Sequence, residues 1–161
     1  MAEEPDEFQS LCALIGFVVV NWALAEQSLD FTVETIYKEC AGNTWEKKLP
    51  RSFQHKVEFL RKMFQTTAAL QVYAEDGNKL LDRMVPLSKT RNDLVHGVVM
   101  SIEAVNGKFP IAKLDTKAQE HIVRHIEFDP STFDALAQDL VDVGGDLGRF
   151  GTMLVQRFGR L

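Results

Sequence analysis

From Phe8 to Cys40 the apolar residues recur at three- and four-residue steps, the period of one helix face. The run Leu11 to Ala25 is apolar apart from Gly16 and Asn21, and Trp22, Leu29, Val33, Ile36, Tyr37 and Cys40 carry the step onward. This predicts a long first helix whose front is buried on nearly all sides, either by tertiary packing or by a second copy of the chain. Residues 1–6 are polar and expected to be loose, and Ala41-Gly42-Asn43 should end the helix. A second helix is expected from about Ser52 to Gln65, with Ser52 as its cap and Phe53, Val57, Leu60 and Phe64 as its buried stripe. Residues 68–75 read as a short helix or an irregular turn, Gly77-Asn78 as a break, and a third helix should run from about Lys79, kinked at Pro86.

After Gly97 the period falls to two. Val98 to Ala104 reads as a strand, Asn106-Gly107 as a hairpin turn, Phe109 to Leu114 as the return strand with Pro110 at an edge position, and His121 to Phe128 as a third strand. Asp129-Pro130-Ser131 opens a last helix, with Ser131 and Asp134 as a capping arrangement and apolar residues from Phe133 to Phe158 at helical spacing. Gly144 and Gly148 in that helix would let another backbone come close, either within the chain or at a dimer seam. The predicted fold class is mainly α: an antiparallel helical bundle with a three-stranded antiparallel β-meander, about residues 98–128, between the last two long helices. Residues 1–161 are read as one domain.

Composition narrows the setting. A 45% hydrophobic and 25% charged share suits a soluble globular chain, and the net charge of −5 gives no general nucleic-acid-binding surface, so any RNA contact has to be local. The apolar run Leu11 to Ala25 is too short to span a bilayer and follows acidic residues, which argues against a membrane segment or a secretory leader. Cys12 and Cys40 are expected as buried free thiols of a reducing cytoplasm rather than a disulfide. No His/Cys cluster calls for a metal; His121 and His125, if on a strand, stand about 13 Å apart and cannot share one ion.

The chemistry concentrates in Arg91-Asn92-Asp93-Leu94-Val95-His96-Gly97. Arginine keeps its charge at any physiological pH and forks onto phosphate, and histidine moves protons near neutrality. Together they are able to act on a phosphodiester without a metal or other cofactor. On a straight helix, positions five apart point about 140° away from each other. Arg91 must therefore swing inward along its stem, the helix must loosen at Gly97, or the motif of a second subunit must complete the site. Glu26, in an acidic stripe with Asp30 and Glu34, is either part of a solvated face or a partner for Arg91; Asp93 is another candidate partner. His55, Lys56, Arg61 and Lys62 make the second helix the most basic element, either as a solvated face or as an edge that contacts RNA phosphates.

The arrangement Arg91, Asn92, then His96 after four intervening residues from the arginine resembles the motif of HEPN domains, over roughly residues 8–97 and the last helix. The segment 98–128 then looks like a family-specific insert. The resemblance implies a homodimer with facing motifs, and a metal-independent endoribonuclease in a cytoplasmic toxin–antitoxin or phage-defence setting, restrained by an antitoxin protein. In that reading His96 is the general base, Arg91 steadies phosphoryl charge and Asn92 orients His96 or the phosphate. The alternative is a non-catalytic nucleotide- or protein-binding module of the same family. A rival of another class is a small-molecule or nucleotide sensor with a pocket lined by Trp22 and Trp45.

Overall fold

The computed structural model describes residues 6–117 and 120–159. The expectation for residues 1–5 lies outside the described residues. The chain is mainly helical, with four long helices and a three-stranded antiparallel sheet inserted between the third and the fourth. The helices are α1 (Glu7–Glu39), α2 (Phe53–Thr66), α3 (Ala74–His96) and α4 (Phe133–Phe158); the strands are β1 (Val98–Val99), β2 (Phe109–Lys117) and β3 (Glu120–Phe128). Two compact units divide the chain, Met1–Val20 with Leu87–Asp139 and Asn21–Pro86 with Leu140–Leu161.

The second unit is a helical bundle made of α2 and segments of α1, α3 and α4. Trp22, Leu29, Val33 and Ile36 of α1 are buried, as are Phe59, Leu60, Met63 and Phe64 of α2, and Leu140, Val143, Leu147 and Leu154 of α4. Ser52 caps α2 as expected, its Oγ accepting from the His55 backbone N–H at 3.3 Å. The helix ending at Glu39 turns through Ala41, whose φ of 58° is left-handed, and not through the adjacent glycine. Gly42 answers a different need: a Cβ there would sit 2.7 Å from the Phe59 ring and from the Tyr37 Cα. Space took the glycine, and the strained turn fell to an alanine.

The same logic corrects the expected break at Gly77-Asn78. α3 starts at Ala74 and runs through both residues, because a side chain at 77 would lie 2.5 Å from the Phe64 ring. That glycine admits α2 to close packing rather than ending a helix. Pro86 lies inside α3. Gly151 lets α4 close on α1, since a Cβ there would lie 2.9 Å from the Thr32 Oγ1, whereas at Gly144 and Gly148 it would meet Ala25 and Ser28 at the ordinary contact distances of 3.5 and 3.6 Å.

Packing within the chain buries the front of α1 only in part, so of the two expected sources of burial tertiary packing alone does not cover it. Leu11 and Val18 are sealed, but Phe17, Val20, Leu24 and Phe31 are exposed, and so is Cys12. α1 is the one helix among the described residues long and apolar enough to cross a membrane by length and composition, so the shortness of the run Leu11 to Ala25 does not by itself decide the matter.

In the first unit the sheet order is β1-β2-β3. β2 and β3 pair from Phe109 opposite Phe128 to Lys117 opposite Glu120. The turn is as expected, with Asn106 and Gly107 both at positive φ and Val105 bridged to Lys108. β1 is shorter than expected, and β2, the strand with Pro110, is central rather than an edge. The proline explains the first. The Pro110 carbonyl accepts from Met100 N–H at 2.9 Å, but proline has no N–H to return, and the ladder stops at Val99. Ahead of α4, Asp129 caps a single 3-10 turn, Pro130–Thr132, its carboxylate accepting from Ser131 N–H at 2.9 Å and from Ser131 Oγ at 2.6 Å, so the Ser131 hydroxyl is engaged with Asp129 rather than in the expected arrangement with Asp134.

Candidate functional site

The motif occupies the last two turns of α3. Gly97 follows at once, and a Cβ there would lie 2.2 Å from the Ile111 side chain and 2.5 Å from the Asp93 carbonyl. The helix end is therefore pressed against β2, and Gly97 N–H still donates to the Asp93 carbonyl at 3.1 Å. His96 closes the helix and is exposed; Arg91 and Asn92 are half-buried.

Of the three routes that would bring Arg91 and His96 together, the single chain uses the first. α3 stays helical through His96, and the long arginine stem carries Nη1 to 3.4 Å from His96 Nε2. The same Nη1 donates to Asn92 Oδ1 at 2.9 Å. Arginine has only donors, so in a hydrogen bond between the two Nε2 is the acceptor. The Arg91 Nε–H is buried with no acceptor among the described residues. The guanidinium thus holds one donor uncompensated beside an open imidazole.

The neighbouring acid does something else. Asp93 is buried and accepts two hydrogen bonds from Arg124 at 2.6 and 2.9 Å and one from Lys113 at 3.0 Å. Arg124 continues to Asp115 at 2.9 Å. The Arg124 and Lys113 cations beside Asp93 hold its carboxyl below the ordinary carboxylate range, against the opposing effect of burial; Arg124 does the same for Asp115. Asp93 is therefore a tie from α3 to β2 and β3, not a partner for Arg91. Sequence reasoning missed Lys113 and Arg124, although a signal was present: Arg124 alternates with Ile122, Ile126 and Phe128, and a charge on the apolar side of a strand needs a counter-ion.

Glu26 also finds other partners than Arg91. It accepts from Trp22 Nε1 at 3.1 Å and from Lys56 Nζ at 3.3 Å. Lys56 is buried and is held as well by Asp30 at 2.5 Å, so it is an internal cation and not part of an open basic edge. The rest of the expected edge is engaged locally: Arg61 pairs with Asp82 at 2.6 Å, His55 lies 3.5 Å from Glu46, and Lys62 Nζ stands 4.9 Å from the centre of the Trp45 ring. Trp22 is buried against Phe53, whereas Trp45 is exposed, so the two tryptophans do not form the expected shared pocket.

His121 and His125 lie on β3, opposite Thr116 and Ala112, and no group of three or more metal-ligating side chains occurs among the described residues. Comparison with protein families, with characterised proteins and with solved structures finds no match for this chain.

Proposed function

We propose that this chain is a metal-independent endoribonuclease of HEPN type. The observation that carries the reading is the approach of Arg91 Nη1 to within 3.4 Å of an exposed His96. In the proposed reaction the RNA phosphate draws the Arg91 guanidinium away from Nε2, and the Nε–H that lacks an acceptor gains one. Nε2 is then free to accept the 2′-hydroxyl proton. The 2′-oxygen attacks phosphorus, the bond to the 5′-oxygen of the next nucleotide breaks, and Arg91 stabilises the charge that develops on the phosphoryl oxygens. Asn92, bonded to Nη1, keeps the guanidinium aimed. The leaving oxygen takes its proton from the protonated imidazole of the His96 of a second copy, which ends neutral as the first becomes protonated, and this gives a homodimer with facing motifs a chemical purpose. The products are a 2′,3′-cyclic phosphate and a free 5′-hydroxyl.

The cellular setting we propose is cytoplasmic, in a toxin–antitoxin or phage-defence system, with an antitoxin protein that restrains the nuclease. Incubation of the purified chain with end-labelled RNA in EDTA, beside His96→Ala and Arg91→Ala, tests the reaction. Cleavage in EDTA with a cyclic phosphate end, lost in both variants, is the expected result. Undiminished cleavage by His96→Ala would remove the imidazole from the chemistry, and inertness towards many RNAs would leave a non-catalytic binding module.

A further inference from the structure

The end of the loop between α1 and α2, together with the first ten residues of α2, carries a concentration of charge opposite to that of the whole chain. From Trp45 to Lys62 there are six lysines and arginines against two glutamates, a local charge of +4 in a chain of −5. The fold divides these cations into two groups. Lys56 and Arg61 are tied to carboxylates, while Lys47, Lys48 and Arg51 are exposed and make no ion pair among the described residues. These three line a cleft of about 710 Å³ together with Trp45, Ser52 and His55. That volume lies within the ~300–1,000 Å³ range of clefts that hold organic ligands.

Trp45 is the second half of the observation. Nearly half of it, 47%, is open to solvent, which is unusual for so large an apolar ring. Its indole already attracts one cation, Lys62. An exposed aromatic ring among unpaired cations is the combination by which proteins hold single strands: bases stack on the ring and phosphates lie along the charges. The anionic carboxylate in the cleft, Glu46, is turned to His55 at 3.5 Å.

We infer that the Trp45–His55 loop is a docking site for single-stranded RNA, with a base on Trp45 and phosphates on Lys47, Lys48 and Arg51. The choice of RNA as ligand rests on the nuclease reading, but the test does not require cleavage. The probe is a 12-nucleotide 2′-O-methyl RNA, which has no free 2′-hydroxyl and cannot be cut by the proposed route. Binding is followed by tryptophan fluorescence of the wild-type chain, whose other tryptophan, Trp22, is only 3% exposed.

Three phosphate contacts on a single strand predict a slope of about −2 in log K against log salt. Trp45→Ala should weaken binding by roughly 5- to 100-fold, followed by anisotropy of a dye-labelled probe. The triple variant Lys47→Glu, Lys48→Glu, Arg51→Glu should abolish binding with no change in thermal midpoint, because all three side chains are exposed. Equal binding by that variant, or a slope near zero, would overturn the inference. So would equal competition by poly-glutamate, which would make the patch a docking surface for acidic protein, or by a mononucleotide, which would make it a nucleotide site.

Discussion

Asp93→Asn separates the tie that holds the motif helix to the sheet from the chemistry of the motif itself. The carboxylate is 9% exposed and accepts three charge-assisted hydrogen bonds. Breaking one end of a fully buried ion pair costs about 3–5 kcal/mol, while a hydrogen bond to a charged group contributes about 1.5–3 kcal/mol. Arg124 keeps 34% of its side chain in solvent, so the freed guanidinium rehydrates, and asparagine retains one acceptor. The cost should therefore fall near the lower range, about 2 kcal/mol, which lowers the urea midpoint by about 1 M for a slope near 2 kcal/mol per M. The pH dependence has a fixed sign. The native pKa of Asp93 lies below its ordinary value of 3.8, so its contribution is present in full above about pH 5 and is lost as pH falls through the native value. The gap between wild type and variant should accordingly close in acid. Urea unfolding followed by circular dichroism at pH 7 and at about pH 3 measures both quantities. A variant as stable as wild type at pH 7, or a gap that persists undiminished in acid, would refute the account of Asp93 as a charged tie.

Further outcomes are expected elsewhere in the chain. Ala41→Gly removes a left-handed alanine that costs ~1–2 kcal/mol, offset by ~0.4–1 kcal/mol of added chain entropy, and should raise stability by about 0.5–1 kcal/mol in thermal unfolding. Gly97→Ala forces a methyl group against Ile111 and the Asp93 carbonyl and should destabilise by about 2–3 kcal/mol, with activity falling together with stability. Iodoacetamide at pH 7.5 should label Cys12 alone in the native chain, since burial pushes the Cys40 thiol up to about 11; mass spectrometry should find the second label only after unfolding.

Where one periodicity ran for many residues, the elements were legible. α1, α2 and α4 lie within a few residues of the positions expected from their apolar stripes, and Asn106-Gly107 forms its turn because both residues tolerate positive φ. The misreadings came from residues whose reason is a neighbour distant in sequence. Gly77 and Gly42 have the local signature of a break and a turn, and only the rings of Phe64 and Phe59 explain them. Lys56 looks like a solvated charge until Glu26 and Asp30 are brought to it. Within the motif, Arg91, Asn92 and His96 were recognisable from residue type and do come together. The role of Asp93 was not, because its cations arrive 20 and 31 residues later on β2 and β3.

The dependence of Asp93 on the sheet also constrains history. The sheet brings Lys113 and Arg124, and with them the means to keep a carboxylate out of water beside the motif. Loss of the sheet would strand that acid. Any descendant that sheds the hairpin should therefore replace Asp93 with an uncharged residue, and the three positions should change as a set while Arg91 and His96 stay.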